Sequence, residues 1–218
     1  MDRSFTNGLV KALLGFTLLC VTPAISAGTD QSAVTHIDYS RSPETMLVSF
    51  GEIWPEFTDQ DLTPLVRIYG DGRVVVHLAS YMKQAGKYEM LLSANELEDL
   101  LLQLTPILAS FDTEDIKRQK RELDDQVWDS AADWEDQVLH HVADAEYSVF
   151  YLNIDTYQSS GPEGLSLSNQ VLERSWRGLR FDVRDYPELE PIQALMQAEH
   201  TLRAFTKHAE LVQVESLP

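Results

Sequence analysis

Apolar residues form short β-branched runs at several places in the first half of the chain. The runs Leu65–Tyr69 and Arg73–His77 flank Gly70–Gly72, and an Asp-Gly pair between such runs favours a type I′ turn, in which both central residues have positive φ. Alternation of apolar and polar side chains over Lys87–Leu91 predicts a third strand. The apolar run Met46–Phe50 predicts a short strand before the hairpin.

The apolar positions take on a helical period after residue 92. Ser93, with Glu96 three residues later, forms the pattern of a capping box, in which each side chain binds the other residue's backbone N–H. A stripe of leucines follows at helical spacing: Leu97, Leu100, Leu101, Leu104 and Leu108. Pro106 falls inside this stripe, so we predict that the helix ends or kinks near Leu104. A second amphipathic helix is predicted from residue 112 or 113.

The second half of the chain repeats this order of strands and then a helix. From Gln137 the apolar period is two, which predicts a hairpin formed by residues 137–142 and Tyr147–Tyr157. A further strand is predicted near Trp176–Phe181, and Pro187 opens a final amphipathic helix. We therefore expect an α+β domain, with antiparallel sheet built from two hairpins plus extra strands and packed by two or three amphipathic helices. The pattern also allows two β-β-β-α halves.

The domain boundaries follow from where these patterns begin. Residues 64–218 are predicted to form one α+β domain, because no low-complexity linker divides them. Residues 28–63 are predicted as a partly irregular N-terminal extension, which contains an aromatic-anchored loop at Trp54–Phe57 and ends at Thr63-Pro64.

The first 27 residues carry the three parts of a secretory signal. Arg3 and Lys11 bracket the basic region, an apolar run of ten residues spans Ala12–Val21, and small residues precede a cleavage site after Ala27 or after Ser26. A membrane anchor is the alternative, but a spanning helix needs about 20 apolar residues. We predict export to the periplasm or beyond the cell. The cleaved chain of 191 residues would have no cysteine and a formal charge of −19 in place of −18.

The amino-acid composition and net charge exclude several classes of protein. The 218 residues are 44% hydrophobic and contain 17 basic against 35 acidic residues. These values exclude a disordered chain, a disulfide scaffold and a polytopic membrane protein, and such an acidic chain is a poor partner for nucleic-acid phosphates.

Several of these motifs occur together in a known kind of protein. The hairpin Val66–Val74 contains Tyr-Gly-Asp-Gly, and it leads through a strand into the helix start Leu92–Leu97, which reads Leu-Ser-x-x-Glu-Leu. In this respect the chain resembles a family of exported bacterial proteins of unknown function. The segment Trp176–Leu195 is similar to theirs as well. The resemblance implies the fold elements of a turn, a cap and a helix face, and it assigns no catalytic residue.

Motifs for metal or nucleophilic chemistry are not evident in the sequence. The six histidines have no His-Glu-x-x-His spacing, and the acidic pairs Asp59/Asp61 and Asp124/Asp125 lack the pattern of an EF-hand. No Gly-x-Ser-x-Gly elbow and no glycine-rich phosphate loop occurs. We therefore predict no catalytic residue, no metal site and no cofactor.

An acidic stretch gives the one candidate interaction surface. Residues Asp112–Glu146 hold 12 acidic against four basic residues, together with two tryptophans, a residue type enriched in binding hot spots. The candidate residues are Trp128, Asp129, Asp133, Trp134 and Asp136. This pattern favours a non-enzymatic binding module that meets a basic protein or peptide.

A hydrolase-like enzyme is the competing hypothesis. Its site would be assembled in space from dispersed histidines and acids, and a pocket that holds His77 or His140 beside a carboxylate and a hydroxyl would favour it. The sequence leaves enzymatic activity undecided.

Overall fold

The protein is built around one antiparallel sheet, with eight strands among the residues that the structure describes. A computed structural model describes residues 35–130, 144–160 and 164–216. The strands are β1 (His36–Asp38), β2 (Met46–Ile53), β3 (Val66–Tyr69), β4 (Arg73–Leu78), β5 (Gly86–Leu91), β6 (Tyr147–Gln158), β7 (Ser166–Arg177) and β8 (Val212–Glu215). The helices are α1 (Ala94–Ser110), α2 (Thr113–Ser130), α3 (Leu179–Asp185) and α4 (Glu190–Ala204). The α+β prediction is therefore confirmed.

The strand order places β6 beside three partners. β6 pairs with β7 on one side and with both β1 and β2 on the other, and the sheet continues β2-β3-β4-β5-β8. β1 and β2 lie within residues 28–63, the segment predicted as an extension, and β2 occupies the interior of the sheet between β6 and β3.

The β3–β4 hairpin closes differently from the prediction. Tyr69 O accepts a hydrogen bond from Gly72 N–H at 2.9 Å, and within the turn only Gly72 has positive φ, at +88°. The expected type I′ turn is therefore wrong. The loop has three residues, and in a loop of that length only the last residue needs the left-handed conformation.

Helix α1 begins as predicted but does not end as predicted. Ser93 Oγ accepts from the Glu96 N–H while the Glu96 carboxylate accepts from Ser93 N–H at 2.8 Å, so the capping box is confirmed. Of the two outcomes predicted near Leu104, an end or a kink, the end is wrong, because the helix continues through Pro106 to Ser110. Leu104 and Leu108 are both fully buried on either side of this proline, and their packing outweighs the lost backbone hydrogen bond.

The strand predicted near Trp176–Phe181 is correct only at its start. β7 ends at Arg177, and Gly178 turns the chain into α3 with a φ of +69°. The chain turns here because Asp182, one turn into the helix, accepts a hydrogen bond from the buried Trp176 Nε1 at 2.7 Å. In the described residues β6 forms its hairpin with β7, and the predicted partner segment 137–142 lies outside them.

Helices α1 and α4 share a hydrophobic core with one face of the sheet. Strand residues such as Val48, Phe50 and Phe150 are fully buried in the same cluster as Leu101 of α1 and Leu195 of α4. None of the described helices is both long enough and apolar enough to cross a membrane. The helices cover one face of the sheet, so the strand ends and the loops that join them remain accessible.

Candidate binding cleft

A cleft of about 650 Å³ lies at the end of the sheet where β2 and β4 end and β3 begins. Its walls come from the β2–β3 loop, residues 54–65, and from the β4–β5 loop, residues 79–85. The volume falls within the range of about 300–1,000 Å³ that is typical of small-molecule sites.

Gln60 holds the β2–β3 loop in shape. Its Oε1 accepts from Trp54 N–H at 2.7 Å, and its Nε2 donates to Trp54 O at 2.8 Å and to Phe57 O at 3.2 Å. Phe57 N–H also donates to Trp54 O at 3.1 Å. One amide side chain thus ties together the two residues that carry the aromatic rings of the loop.

We expect Gln60→Ala to loosen this loop without unfolding the sheet. Loss of the bond to Oε1 should raise the amide exchange rate of Trp54 about fivefold, since a hydrogen bond contributes about 1 kcal/mol. Amide hydrogen exchange measures this directly. Gln84→Ala is the control, because Gln84 is exposed in the other loop. Equal Trp54 exchange in both variants would contradict the role of Gln60.

Aromatic side chains line the cleft and remain unusually accessible. Phe57 is 62% exposed and Tyr81 is 70% exposed, and the rings of Trp54 and Phe57 meet at an angle of 57° with centroids 6.3 Å apart. Eight large hydrophobic residues are exposed in the described part of the chain, and half of them lie at the end of β2 or in the two cleft loops: Ile53, Phe57, Leu62 and Tyr81. Clusters of exposed apolar side chains are typical of surfaces that contact a ligand, a membrane or another protein.

The polar lining of the cleft is acidic. It includes Glu52, Glu56, Asp59 and Asp61, and the described lining has no Lys or Arg. Glu56 lies 3.9 Å from Arg177, with both side chains well exposed, and such an ion pair contributes little. The Asp59 carboxylate has no hydrogen bond or ion pair to another described residue.

Asp61 and His77 form a close polar contact between two residues that line the cleft. Asp61 Oδ2 lies 2.5 Å from His77 Nε2, and Asp61 Oδ1 accepts from Thr63 N–H at 2.9 Å. The hydrogen bond from His77, followed by those from Thr63, lowers the pKa of Asp61 from 3.8 to about 2. A carboxylate that accepts from Nε2–H leaves His77 Nδ1 as the proton acceptor of the ring.

The low pKa of Asp61 predicts a pH-dependent stability. Because the folded pKa lies below the unfolded value, the contribution of Asp61 is fully present above about pH 4 and is lost as the pH falls toward 2. We expect the difference in free energy of unfolding between the protein and Asp61→Asn to shrink from pH 5 to pH 2.5 in urea titrations. Asp59→Asn should show no such convergence. A constant difference for Asp61→Asn would rule out the hydrogen-bonded carboxylate.

Glu52, which lines the cleft, forms ion pairs with arginines of α3 and α4. Its Oε1 accepts from Arg180 Nη2 at 2.8 Å and from Arg203 Nη2. Both arginines also reach Glu199 Oε1, at 3.3 Å from Arg180 Nε and 2.9 Å from Arg203 Nε. The carboxylate of Glu52 is therefore matched by two guanidinium groups, and it anchors the end of β2 on α3 and α4.

The structure places only some of the sequence-predicted residues. Trp128 and Asp129 lie in the last turn of α2, where side chains are outside the description, and Asp133, Trp134 and Asp136 lie outside the described residues. The interaction surface on the acidic stretch therefore stays a prediction. His140 also lies outside the described residues.

Two of the candidate metal ligands from the sequence, Asp61 and Asp124, have other partners. Asp61 binds His77 and Thr63, and Asp124 accepts from Tyr186 Oη at 2.6 Å. The described residues contain no group of three or more His, Cys, Asp or Glu side chains arranged to hold a metal ion.

The sequence pointed to one of the two loops of the cleft and to His77. Trp54–Phe57 was expected to be an aromatic-anchored loop, and His77 was a candidate beside a carboxylate; both now lie in one cleft with Asp61. Tyr81 and Met82 were missed, because the β4–β5 loop has no motif that signals a site. A tyrosine in a short polar loop between strands was the only available sign.

Comparisons with known proteins leave the cleft without a precedent. The chain matches no protein-family model, no curated protein and no solved structure.

Proposed function

We propose that this protein is an exported binding module and that the cleft between the β2–β3 and β4–β5 loops is its ligand site. The observation that carries the proposal is the pairing of accessible aromatic rings with carboxylates in one cavity of about 650 Å³. An apolar cavity with a few placed polar groups is the usual form of a small-molecule site.

Binding of a neutral fluorescent dye tests the proposal. Nile red emits strongly in apolar surroundings, so we expect its fluorescence to rise on titration with the purified protein and to reach saturation. Phe57→Ser with Tyr81→Ser should abolish most of this rise, because both rings are exposed and line the cleft. Leu91→Ser with Val212→Ser is the matched control, since these residues are similarly exposed but lie on β5 and β8, outside the lining of the cleft. Dye binding that is absent, or that is lost only in the control, would refute the cleft as the site.

A hydrolase is the second candidate, and one observation favours it. His77 lines the cleft with Nε2 bound to the Asp61 carboxylate, which resembles the base and orienting acid of hydrolytic sites. In such a reaction Nδ1 would take a proton from water, the hydroxide would add to an ester carbonyl, and the protonated ring would return the proton to the leaving alkoxide.

Hydrolysis of p-nitrophenyl butyrate separates the two candidates. A hydrolase should release p-nitrophenol with saturation kinetics, and His77→Ala should lower kcat at least about a hundredfold while dye binding persists. His36→Ala is the control, because His36 lies on β1 and pairs with Asp38 away from the cleft. Equal rates in the protein and in His77→Ala would leave binding as the function.

Export rests on the N-terminal pattern of the sequence. Expression of the full chain in a bacterium followed by mass spectrometry of the mature N-terminus tests it. A start at residue 28, or at residue 27, supports a cleaved signal, and an intact Met1 in the membrane fraction supports the anchor.

A further inference from the structure

We propose that the cleft binds a small organic cation, an ammonium or guanidinium group carried on an apolar body. This inference rests on the proposed binding function and names the ligand class of the same site. Three features of the lining support it, namely its ring faces, its uncompensated charge and its volume.

The ring faces of the cleft have no cation of their own. Elsewhere in the described residues Lys or Arg stands over six aromatic rings at 4.2–6.0 Å from the centroid, for example Arg73 over Tyr69 and Arg203 over Phe50. No described Lys or Arg stands over Trp54, Phe57 or Tyr81. The negative face of an aromatic ring attracts a cation, and Trp is the strongest of the three ring types.

The charge of the cleft favours a cation over an anion. Glu52 is matched by Arg180 and Arg203, but Asp59 has no described partner and Glu56 has only a distant, exposed one. Asp61 is kept ionised by its hydrogen bonds, so it adds a negative charge beside the ring of His77. An anionic ligand would meet these carboxylates without a compensating Lys or Arg in the described lining.

The remaining lining selects an apolar body of modest size. Leu65 and Ala79 are buried at the base, and Met82 supplies a flexible apolar wall. The cavity of about 650 Å³ fits a ligand of one or two rings. A single cationic group joined to an apolar body would satisfy both the rings and the carboxylates.

Two compounds of matched size test the inference. 2-Phenylethylammonium and 2-phenylethanol share the same ring and chain and differ in charge, so calorimetry or NMR titration of the purified protein isolates the contribution of the cation. We expect the ammonium compound to bind about tenfold more tightly at low salt, with the advantage shrinking as salt is added.

Two variants separate the rings from the carboxylates. Phe57→Leu keeps an apolar side chain but removes a ring face, and Asp59→Asn removes a charge; each should lower affinity for the ammonium compound about three- to tenfold and leave 2-phenylethanol unchanged. Asp71→Asn, in the β3–β4 turn outside the cleft, should change neither affinity.

The outcomes distinguish this inference from the proposed function. Tighter binding of the ammonium compound, lost in both cleft variants, supports the cation assignment. Equal binding of the two compounds overturns that assignment while the binding function stands, as does Nile red binding without 2-phenylethylammonium binding. Failure of both compounds and of Nile red overturns the binding function as well.

Discussion

Glu199→Ala should lower the free energy of unfolding by about 3 kcal/mol, a large part of the stability of a domain of this size. The Glu199 side chain is 1% exposed and accepts from Ser148 Oγ at 2.6 Å, as well as from Arg180 and Arg203. Its removal leaves the fully buried Ser148 hydroxyl without this partner, and Arg180 and Arg203 lose one of the two carboxylates that they share. Equilibrium urea unfolding measures the loss.

Two further variants identify the cause of that loss. Glu199→Gln keeps the shape and the acceptor for Ser148 but removes the charge, so its cost should fall between zero and that of Glu199→Ala. Glu210→Ala, an exposed acid near the C-terminal strand, should cost less than about 0.5 kcal/mol. A cost for Glu199→Ala as small as that of Glu210→Ala would mean that the two arginines are satisfied without Glu199.

The charged cluster also explains the protonation state of Glu199. Burial raises the pKa of this carboxyl, but the hydrogen bonds from Ser148 and Arg203 and the charges of both arginines outweigh burial and lower it below 4.5. The carboxylate therefore remains ionised at neutral pH inside the core. Because Glu52 binds the same arginines, the position of this cleft residue and the packing of α4 on β2 depend on one set of charges.

Local patterns in the sequence predicted local structure well. The β3–β4 hairpin, the Ser93 capping box and the leucine stripe of α1 all depend on residues within a few positions of each other. Such signals are independent of the rest of the fold. The error at Pro106 has the opposite origin, because two buried leucines on either side of the proline stabilise a helix that its local sequence disfavours.

Long-range pairing could not be predicted in the same way. β2 pairs with β6 at Val48 and Leu152, about a hundred residues apart. Neither segment contains a local pattern that specifies the other as its partner. The cleft has the same difficulty, since His77 and Asp61 meet only because β4 lies beside the loop that precedes β3. A histidine and an acid on separate elements become a site through topology, which sequence periodicity does not encode.

Gly70→Ala is expected to cost about 3 kcal/mol, for a reason that the turn motif does not reveal. The sequence assigns Gly70 to a turn, but its φ is not positive; a Cβ at this position would lie 2.0 Å from Ser40 O. The contact is with backbone, so the loop before β2 or the hairpin must move. Thermal or urea unfolding should show the loss, and Gly51→Ala, whose Cβ would lie 3.3 Å from Pro64 Cα, should cost clearly less. If both variants cost the same, the close approach of Ser40 does not explain the glycine at position 70.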